Sequence, residues 1–283
     1  MINIFTGSNK IILILSFVLF VISCTSKSAQ AKLANNRIDS NLISNSQGMN
    51  DKEVGIELFF SNTSNTNQII KHSYFTVSYS EKDEQPEWVA YKLTPKSVNS
   101  NIKRTNDYRF DPLVKTNSAT PNDYHGSGYD MGHLAPAKAM SQNHTSMSES
   151  FYLSNISPQK KSFNRGIWKR LEGKVRYWAS FNDSIYVVTG PILTDPIAHI
   201  GDNNVSVPRA FYKTLLGFKN GKAKGIAFVF PNEKSHKSIF SFATSIDNVE
   251  KLTGIDFYEN LDTKSQKILE GRKDLKEWVQ INK

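Results

Sequence analysis

Beyond residue 70, short apolar runs are separated by residues that favour turns. SYFTVSYS at 73–80 alternates aromatic or β-branched residues with small polar ones, which indicates a half-buried strand. SIYVVTG at 184–190 is a near-continuous apolar run, typical of a strand buried on both faces. Asn220-Gly221 lies between two further apolar runs and is a strong hairpin signal. The pattern predicts strands at 73–80, 87–92, 184–190, 210–218 and 225–230.

A second period, close to that of an α-helix, marks the predicted helices. Trp168, Leu171, Val175 and Trp178 follow one another at offsets of 3, 4 and 3 residues, which places them in one apolar stripe. A further helix is predicted near 263–280. Strands and helices alternate without a regular strand–helix–strand rhythm, so the predicted fold class is α+β rather than a doubly wound parallel sheet.

The start of the chain has the pattern of an export signal. Lys10 precedes an apolar run at 11–22, which is too short to cross a bilayer comfortably and is typical of a secretory signal. Val21-Ile22-Ser23-Cys24 resembles the lipobox of bacterial lipoproteins, in which the cysteine is acylated. The sequence predicts a signal peptide over 1–23, a lipidated Cys24 with a flexible tether over 24–50, and one domain over 51–283.

These features predict the cellular location of the protein. Two or three acyl chains on Cys24 would hold it on a lipid bilayer, where one chain would not. The expected location is therefore extracytoplasmic, on a bacterial membrane, at the periplasmic side or the cell surface. An ordinary signal peptide with an incidental cysteine is the alternative.

Composition narrows the classes of function. The 283 residues include one cysteine, which excludes an internal disulfide framework and a zinc site built from several thiolates. A hydrophobic share of 39% and a charged share of 22% exclude a disordered chain and a polytopic membrane protein. The formal net charge of +9, which falls by one if Lys10 is removed with the signal, suits a polyanion such as nucleic acid or an anionic membrane surface.

Reactive side chains are concentrated between residues 104 and 176. His133 is the natural general base, because the unperturbed pKa of histidine lies near neutrality. Asp130 could fix its tautomer. Asn164 and Glu172 offer the oxygen ligands that suit Mg²⁺, one binding directly and one through water. Arginines aimed at a phosphate stabilise the charge that builds during phosphodiester hydrolysis, so these side chains together would make a metal-assisted phosphodiesterase.

Each of these residues also has a structural interpretation. On a continuous helix, Glu172 would lie two turns along from Asn164 and about 80° around it, with Arg176 a further turn away. Asn164 could simply cap this helix. Glu172 and Arg176 could form an ordinary helix ion pair, Arg104 could be a solvated loop charge, and His133 could be a surface or core histidine.

The order of the motifs resembles a known family. SGYDMGHLAPA, YLSNISPQ and N-x-x-x-W-x-x-LE-x-x-x-R are closely similar to motifs of the DNA/RNA non-specific endonucleases. RTNDYRFDP, VVTGPI, VPRAFYK and SIDNVEKLTGIDFYENL are also similar, so the resemblance spans roughly 73–261.

The resemblance implies both a fold and a mechanism. The fold would be a ββα-metal (His-Me finger) nuclease, with a central mixed or antiparallel sheet flanked by helices. A strand carrying the histidine would be followed by a second strand and a metal-binding helix. The implied activity is hydrolysis of DNA and RNA with little sequence specificity, using Mg²⁺, for which Mn²⁺ could substitute. The implied site residues are the base His133, the metal ligand Asn164, the water-mediated ligand Glu172, the phosphate-binding Arg104 and Arg176, and the supporting residues Asp130 and Asn155.

Met131 departs from the family signature D-R-G-H, in which an arginine occupies its position. Arg109 or Lys138 could supply the missing charge. Met131 also favours the main alternative, an inactive nucleic-acid-binding or adhesive lipoprotein that keeps the fold. A zinc hydrolase finds no support, because the chain has no H-E-x-x-H motif. The sequence leaves open the choice between monomer and homodimer, and between DNA and RNA as the preferred substrate.

Overall fold

A computed structural model describes residues 67–261, 263–273 and 275–279. The predicted signal peptide, lipidated cysteine and tether lie outside these residues, as do the first residues of the predicted domain. Within the described part of the chain, no helix has the length and apolar character that crossing a membrane requires.

A seven-stranded antiparallel sheet forms the centre of the fold, in the order β1-β2-β3-β6-β9-β10-β11. Two separate two-stranded sheets, β4-β5 and β7-β8, lie outside it. The strands are β1 (Gln68–Lys71), β2 (Phe75–Ser80), β3 (Gln85–Leu93), β4 (Tyr129–His133), β5 (Ile156–Lys160), β6 (Ser184–Ile192), β7 (Ala198–Ile200), β8 (Val205–Val207), β9 (Ala210–Lys219), β10 (Lys222–Pro231) and β11 (Ala243–Thr244).

The described helices are short, apart from the 11-residue helix Lys169–Ala179. They are α1 (Pro95–Val98), α2 (Pro121–Tyr124), α3 (His144–Glu149), α4 (Lys161–Phe163), α5 (Lys169–Ala179), α6 (Ile246–Thr253), α7 (Thr263–Leu269) and α8 (Leu275–Val279). A π turn (Asn164–Trp168) joins α4 to α5, and 3₁₀ turns occupy Leu153–Asn155 and Ile239–Phe242.

The five strands predicted from the apolar pattern are confirmed as β2, β3, β6, β9 and β10. β9 and β10 pair from Lys219 opposite Lys222, so the predicted hairpin turns at the two residues between them. Asn220 and Gly221 have φ values of 49° and 71°, the left-handed conformation that a tight hairpin of this kind requires. The α+β prediction is confirmed as well.

The core lies between the sheet and α5. Leu171, Val175 and Trp178 of α5 are all at most 1% exposed, so the predicted apolar stripe faces the interior. The Trp178 ring packs on Phe228 of β10, with ring centroids 6.2 Å apart. This packing fixes the position of α5 relative to the sheet.

The single closing helix predicted near 263–280 is wrong. Two helices, α7 and α8, occupy this part of the chain. Gly271 lies between them, and glycine is a poor helix former because it loses more backbone freedom than other residues. A Cβ there would approach the carbonyl oxygen of Lys267 to 2.9 Å, so the close passage of the chain favours glycine.

Candidate active site

The two-stranded β4-β5 sheet carries the predicted base at the end of β4. β4 pairs with β5 so that Asp130 lies opposite Gln159 and His133 opposite Ile156. A Cβ at Gly132 would lie 2.2 Å from the Gln159 side chain, so only glycine fits this position of the strand without a shift. The buried Gln159 therefore explains the glycine that precedes the histidine.

His133 is buried against aromatic rings and is 8% exposed. The edges of Phe151 and Tyr108 face its ring at centroid distances of 4.8 and 5.5 Å. Its Nε2 is buried and finds no hydrogen-bond partner among the described residues. Burial, with a smaller effect of the Arg104 charge, lowers the pKa of His133 to about 3. The imidazole is therefore neutral at pH 7, and its pKa is far from the near-neutral value expected from the sequence.

Asp130 does not hydrogen-bond to His133, so it does not fix the histidine tautomer as the sequence suggested. Its carboxylate accepts a hydrogen bond of 3.0 Å from Nδ2 of Asn164 and two of 2.8 Å from Arg165. Because the amide nitrogen of Asn164 is engaged with Asp130, the amide oxygen is the atom left for a ligand. Asp130 thus orients Asn164.

Asn164 begins the π turn, and this turn changes the geometry that a continuous helix would have. Gly166 has φ −102° and ψ −110°, which is non-helical, so the 80° relation between Asn164 and Glu172 does not apply. The Asn164 side chain bonds to Asp130 rather than capping the helix. Wide turns of this kind are frequently found at functional sites.

Two hydrogen bonds tie the π turn to β4. One joins Asn164 to Asp130, and the other runs from Nε1 of Trp168 to the backbone oxygen of His133 over 3.4 Å. The strand that carries the predicted base and the turn that carries the predicted metal ligand therefore lie side by side.

Glu172 lies in the first turn of α5 among positive charges. Burial raises its pKa to about 7, and the charges of Lys213, Arg176, Arg104 and Lys169 oppose this rise, in that order. No direct ion pair joins Glu172 to Arg176 in the described part of the chain, so the predicted helix ion pair is absent there. Glu172 is therefore a half-buried carboxylate surrounded by positive charges.

Lys213 is a charged residue beside the candidate site that the sequence did not single out. It lies on β9 and is fully buried, with its Nζ 4.6 Å from the centroid of the Trp168 ring and 3.5 Å from the hydroxyl of Tyr91. Burial lowers its pKa to about 7, and the charge of Glu172 opposes this. The motif VPRAFYK contains it, but only the packing of β9 beneath the π turn shows that this lysine faces the site.

The predicted phosphate-binding Arg104 is exposed and near His133. Its guanidinium lies 4.7 Å from the centroid of Phe151 and donates to the hydroxyl of Tyr108 over 3.2 Å. Both of those rings also contact His133. A bound phosphate between Arg104 and the histidine would therefore meet both side chains.

The two residues suggested to replace the family arginine are engaged elsewhere. Arg109 forms a 2.9 Å ion pair with Asp107 and stacks on Tyr152. Lys138 donates to Oδ1 of Asn101 over 2.9 Å. Met131 packs on a small apolar cluster that includes Tyr124 and Leu153.

Asn155 supports the segment that follows His133. Its Oδ1 accepts from the amide of Ala135 over 2.9 Å, and its Nδ2 donates to the carbonyl oxygens of Ala135 and Ser150. The backbone of Asn155 also accepts from the amide of Leu134. Asn155 is fully buried, and its hydrogen bonds connect the segment after His133 to the 3₁₀ turn.

The donor set fits a hard divalent cation. The amide oxygen of Asn164, whose side chain Asp130 holds, and the carboxylate of Glu172 are ligand types that Mg²⁺ accepts in proteins, with water in the other positions. The described part of the chain places no histidine or cysteine cluster at the site that would favour zinc.

Comparison with known proteins identifies similar chains. Residues 58–264 match the model of the DNA/RNA non-specific endonuclease family. Nuclease C1 of Cunninghamella echinulata var. echinulata is 32% identical over 223 residues, which cover 72% of this chain and 88% of that protein. Mitochondrial endonuclease G of Caenorhabditis elegans is 30% identical, with coverage of 81% and 83%.

Two further similarities bear on the length and the fold. Human mitochondrial nuclease EXOG is 34% identical over 67% of this chain, but the match spans only 56% of that protein. A solved structure of the EndoG/EndoGI complex, which concerns the mechanism of EndoG inhibition, is also similar. It superposes on this chain with a TM-score of 0.67 at 32% sequence identity. The match covers 74% of this chain and 92% of that one, so the ββα-metal fold is confirmed.

Proposed function

The chain belongs to the DNA/RNA non-specific endonuclease family, and from this premise we propose a residue-level mechanism in which His133 is the general base and Asn164 binds Mg²⁺. That the protein is a nuclease follows from the family and from its named relatives. The attachment of the π turn to the strand of His133 is the observation that carries the proposed mechanism.

His133 would take a proton from the water that attacks phosphorus. The buried imidazole is neutral at pH 7, so a ring nitrogen is free to accept that proton. An anionic phosphate beside the ring would raise its pKa, because an opposite charge stabilises the imidazolium. Substrate binding would therefore strengthen the base where it is needed.

Arg104 and Arg176 would bind the oxygens of the scissile phosphate. Arginine suits this role because its guanidinium keeps its charge and offers several donors. Asn164 would hold the metal directly and Glu172 through water, and the bound ion would stabilise charge on the leaving 3′ oxygen. Asp130 and Asn155 would act as positioning residues, the first on Asn164 and the second on the segment after His133.

Digestion of plasmid DNA and of RNA by the purified protein tests this mechanism. We expect cleavage in Mg²⁺ that chelator abolishes, and a loss of at least about 100-fold in rate for His133→Ala. The exposed His199→Ala is the matched control and should cleave at the parent rate. Equal cleavage by His133→Ala would remove His133 from the mechanism, and binding of DNA with no cleavage by the parent would favour the inactive alternative.

The predicted membrane location is a separate part of the proposal. Acylation of Cys24, together with removal of residues 1–23, would hold the nuclease on the outer side of a bacterial membrane. Metabolic labelling with a fatty-acid probe tests it, with Cys24→Ser as the control. Labelling of both chains alike, or of neither, would contradict the lipid anchor.

A further inference from the structure

Three carboxylates meet between α6 and the end of α7. Asp247 and Glu250 are three residues apart on α6 and so lie on the same face of that helix. Glu270 directly follows α7. One oxygen from each of the three lies within 4.8 Å of the others. None of them belongs to the active site, so this cluster is independent of the proposed mechanism.

Glu270 provides a second observation at the cluster. The residue is 5% exposed, and its Oε1 is buried without a hydrogen-bond partner among the described residues. An unpaired buried carboxylate oxygen is energetically costly. Oε1 of Glu250 accepts from the amide of Phe257 over 2.9 Å, but no such donor reaches Oε1 of Glu270 in the described part of the chain.

No lysine or arginine forms an ion pair with these three carboxylates in the part of the chain that the structure describes. Burial and the charges of neighbouring carboxylates raise the pKa of Glu250 to about 7 and that of Glu270 to about 8. A positive charge placed among them would relieve this repulsion.

We propose that Asp247, Glu250 and Glu270 form a Ca²⁺ site that joins α6 to the end of α7. Calcium binds oxygen ligands at about 2.4 Å, so two ligands on opposite sides of the ion are about 4.8 Å apart. Magnesium usually keeps several waters and binds one or two carboxylates, whereas calcium accepts six to eight oxygens in a flexible geometry, so a set of three carboxylates favours calcium. The three oxygens, which all lie within 4.8 Å of one another, fit around one Ca²⁺. Water would complete the coordination at the half-buried Asp247 and Glu250.

Calcium titration of the full chain tests the site, with the nuclease site disabled by Asn164→Ala. In this parent, we expect calorimetry to show one bound Ca²⁺ and thermal unfolding to shift upward as the calcium concentration rises. The added Glu270→Gln should abolish both effects. The added Glu233→Gln, at an exposed glutamate elsewhere, should retain them.

A control is to unfold the Glu270→Gln chain in the presence of chelator. A cooperative transition would show that this variant folds. An equal calcium response with and without Glu270, or no response in the parent, would overturn the proposal. A magnesium response as strong as that to calcium would overturn the assignment of the ion. The comparison of Glu270→Gln with Glu233→Gln does not depend on the nuclease mechanism, because both chains carry the same Asn164→Ala change and neither measurement uses cleavage.

Discussion

Two regions of the molecule bury carboxyl groups, and burial raises the pKa in both. Burial raises the pKa of Glu172 and of Glu250 to about 7, and that of Glu270 to about 8. Their neighbours have opposite signs. Lys213 and Arg176 are the largest charges acting on Glu172, whereas further carboxylates act on Glu250 and Glu270.

The comparison teaches that a raised pKa reports burial, while the sign of the neighbouring charges indicates what each site is prepared to bind. A carboxylate in a positive field can hold a hydrated cation and still attract a phosphate. A group of carboxylates with no positive neighbour in ion-pair contact attracts cations alone. The two regions are therefore expected to respond differently to the same substitution.

Replacing the glutamate in each region is expected to give the largest contrast. Glu172→Gln should lower kcat/KM for plasmid cleavage by about 10- to 100-fold, the usual range for a residue that supports a metal through an outer shell. Glu270→Gln should leave kcat/KM at saturating Mg²⁺ unchanged. Cleavage kinetics of the two purified variants make the measurement. Equal losses would mean that the two regions are not functionally distinct.

His133 allows the effect of burial on a pKa to be tested at a residue that forms no hydrogen bond to a carboxylate. Its folded pKa of about 3 lies below the ordinary 6.5, so the unfolded chain binds the proton first as the pH falls. Stability should then be lost below pH 6.5, by about 1.4 kcal/mol per pH unit, until the folded pKa is reached. His133→Phe lacks this loss. The free energy of unfolding of both chains, measured in denaturant from pH 7 to pH 4, gives the difference, and parallel pH curves would contradict the assigned pKa.

The smallest expected effect is on DNA binding, when one positive charge near the active site is removed. Arg104→Ala should weaken binding of non-cleavable DNA and reduce the salt dependence of binding by about one phosphate contact. Arg272→Ala, an exposed cation that closely follows Glu270 in the sequence, should leave the slope unchanged. Fluorescence anisotropy at several salt concentrations compares them. An equal loss of slope would show that binding uses the overall positive charge rather than the field at the active site.

The sequence predicted the strands because their apolar pattern is local. The stripe of α5 is likewise visible from its spacing, and Gly132 lies within the motif SGYDMGHLAPA. The break at Gly271 was not predicted, because the close passage of the Lys267 carbonyl depends on the folded chain. Motif order indicated where the chemistry lies more specifically than residue spacing did.

Contacts between distant segments account for what the sequence could not predict about the site. Asp130 bonds to Asn164, 34 residues away, rather than to His133, three residues away. The low pKa of His133 arises from its burial, which its own segment does not encode. Glu270 meets Asp247 only through the packing of two helices, so neither residue attracted attention in the sequence.

The π turn makes the enzyme sensitive to the number of residues in one segment. Each helical residue advances the chain by about 100°, so deletion of Gly166 would convert the wide turn toward a regular helix and rotate Asn164 relative to Glu172 by about that angle. Every side chain of the site would still be encoded, yet Asn164 and Glu172 would no longer have the relative orientation on which the proposed mechanism depends. We therefore expect the loss of this single codon, outside the reactive residues, to abolish cleavage.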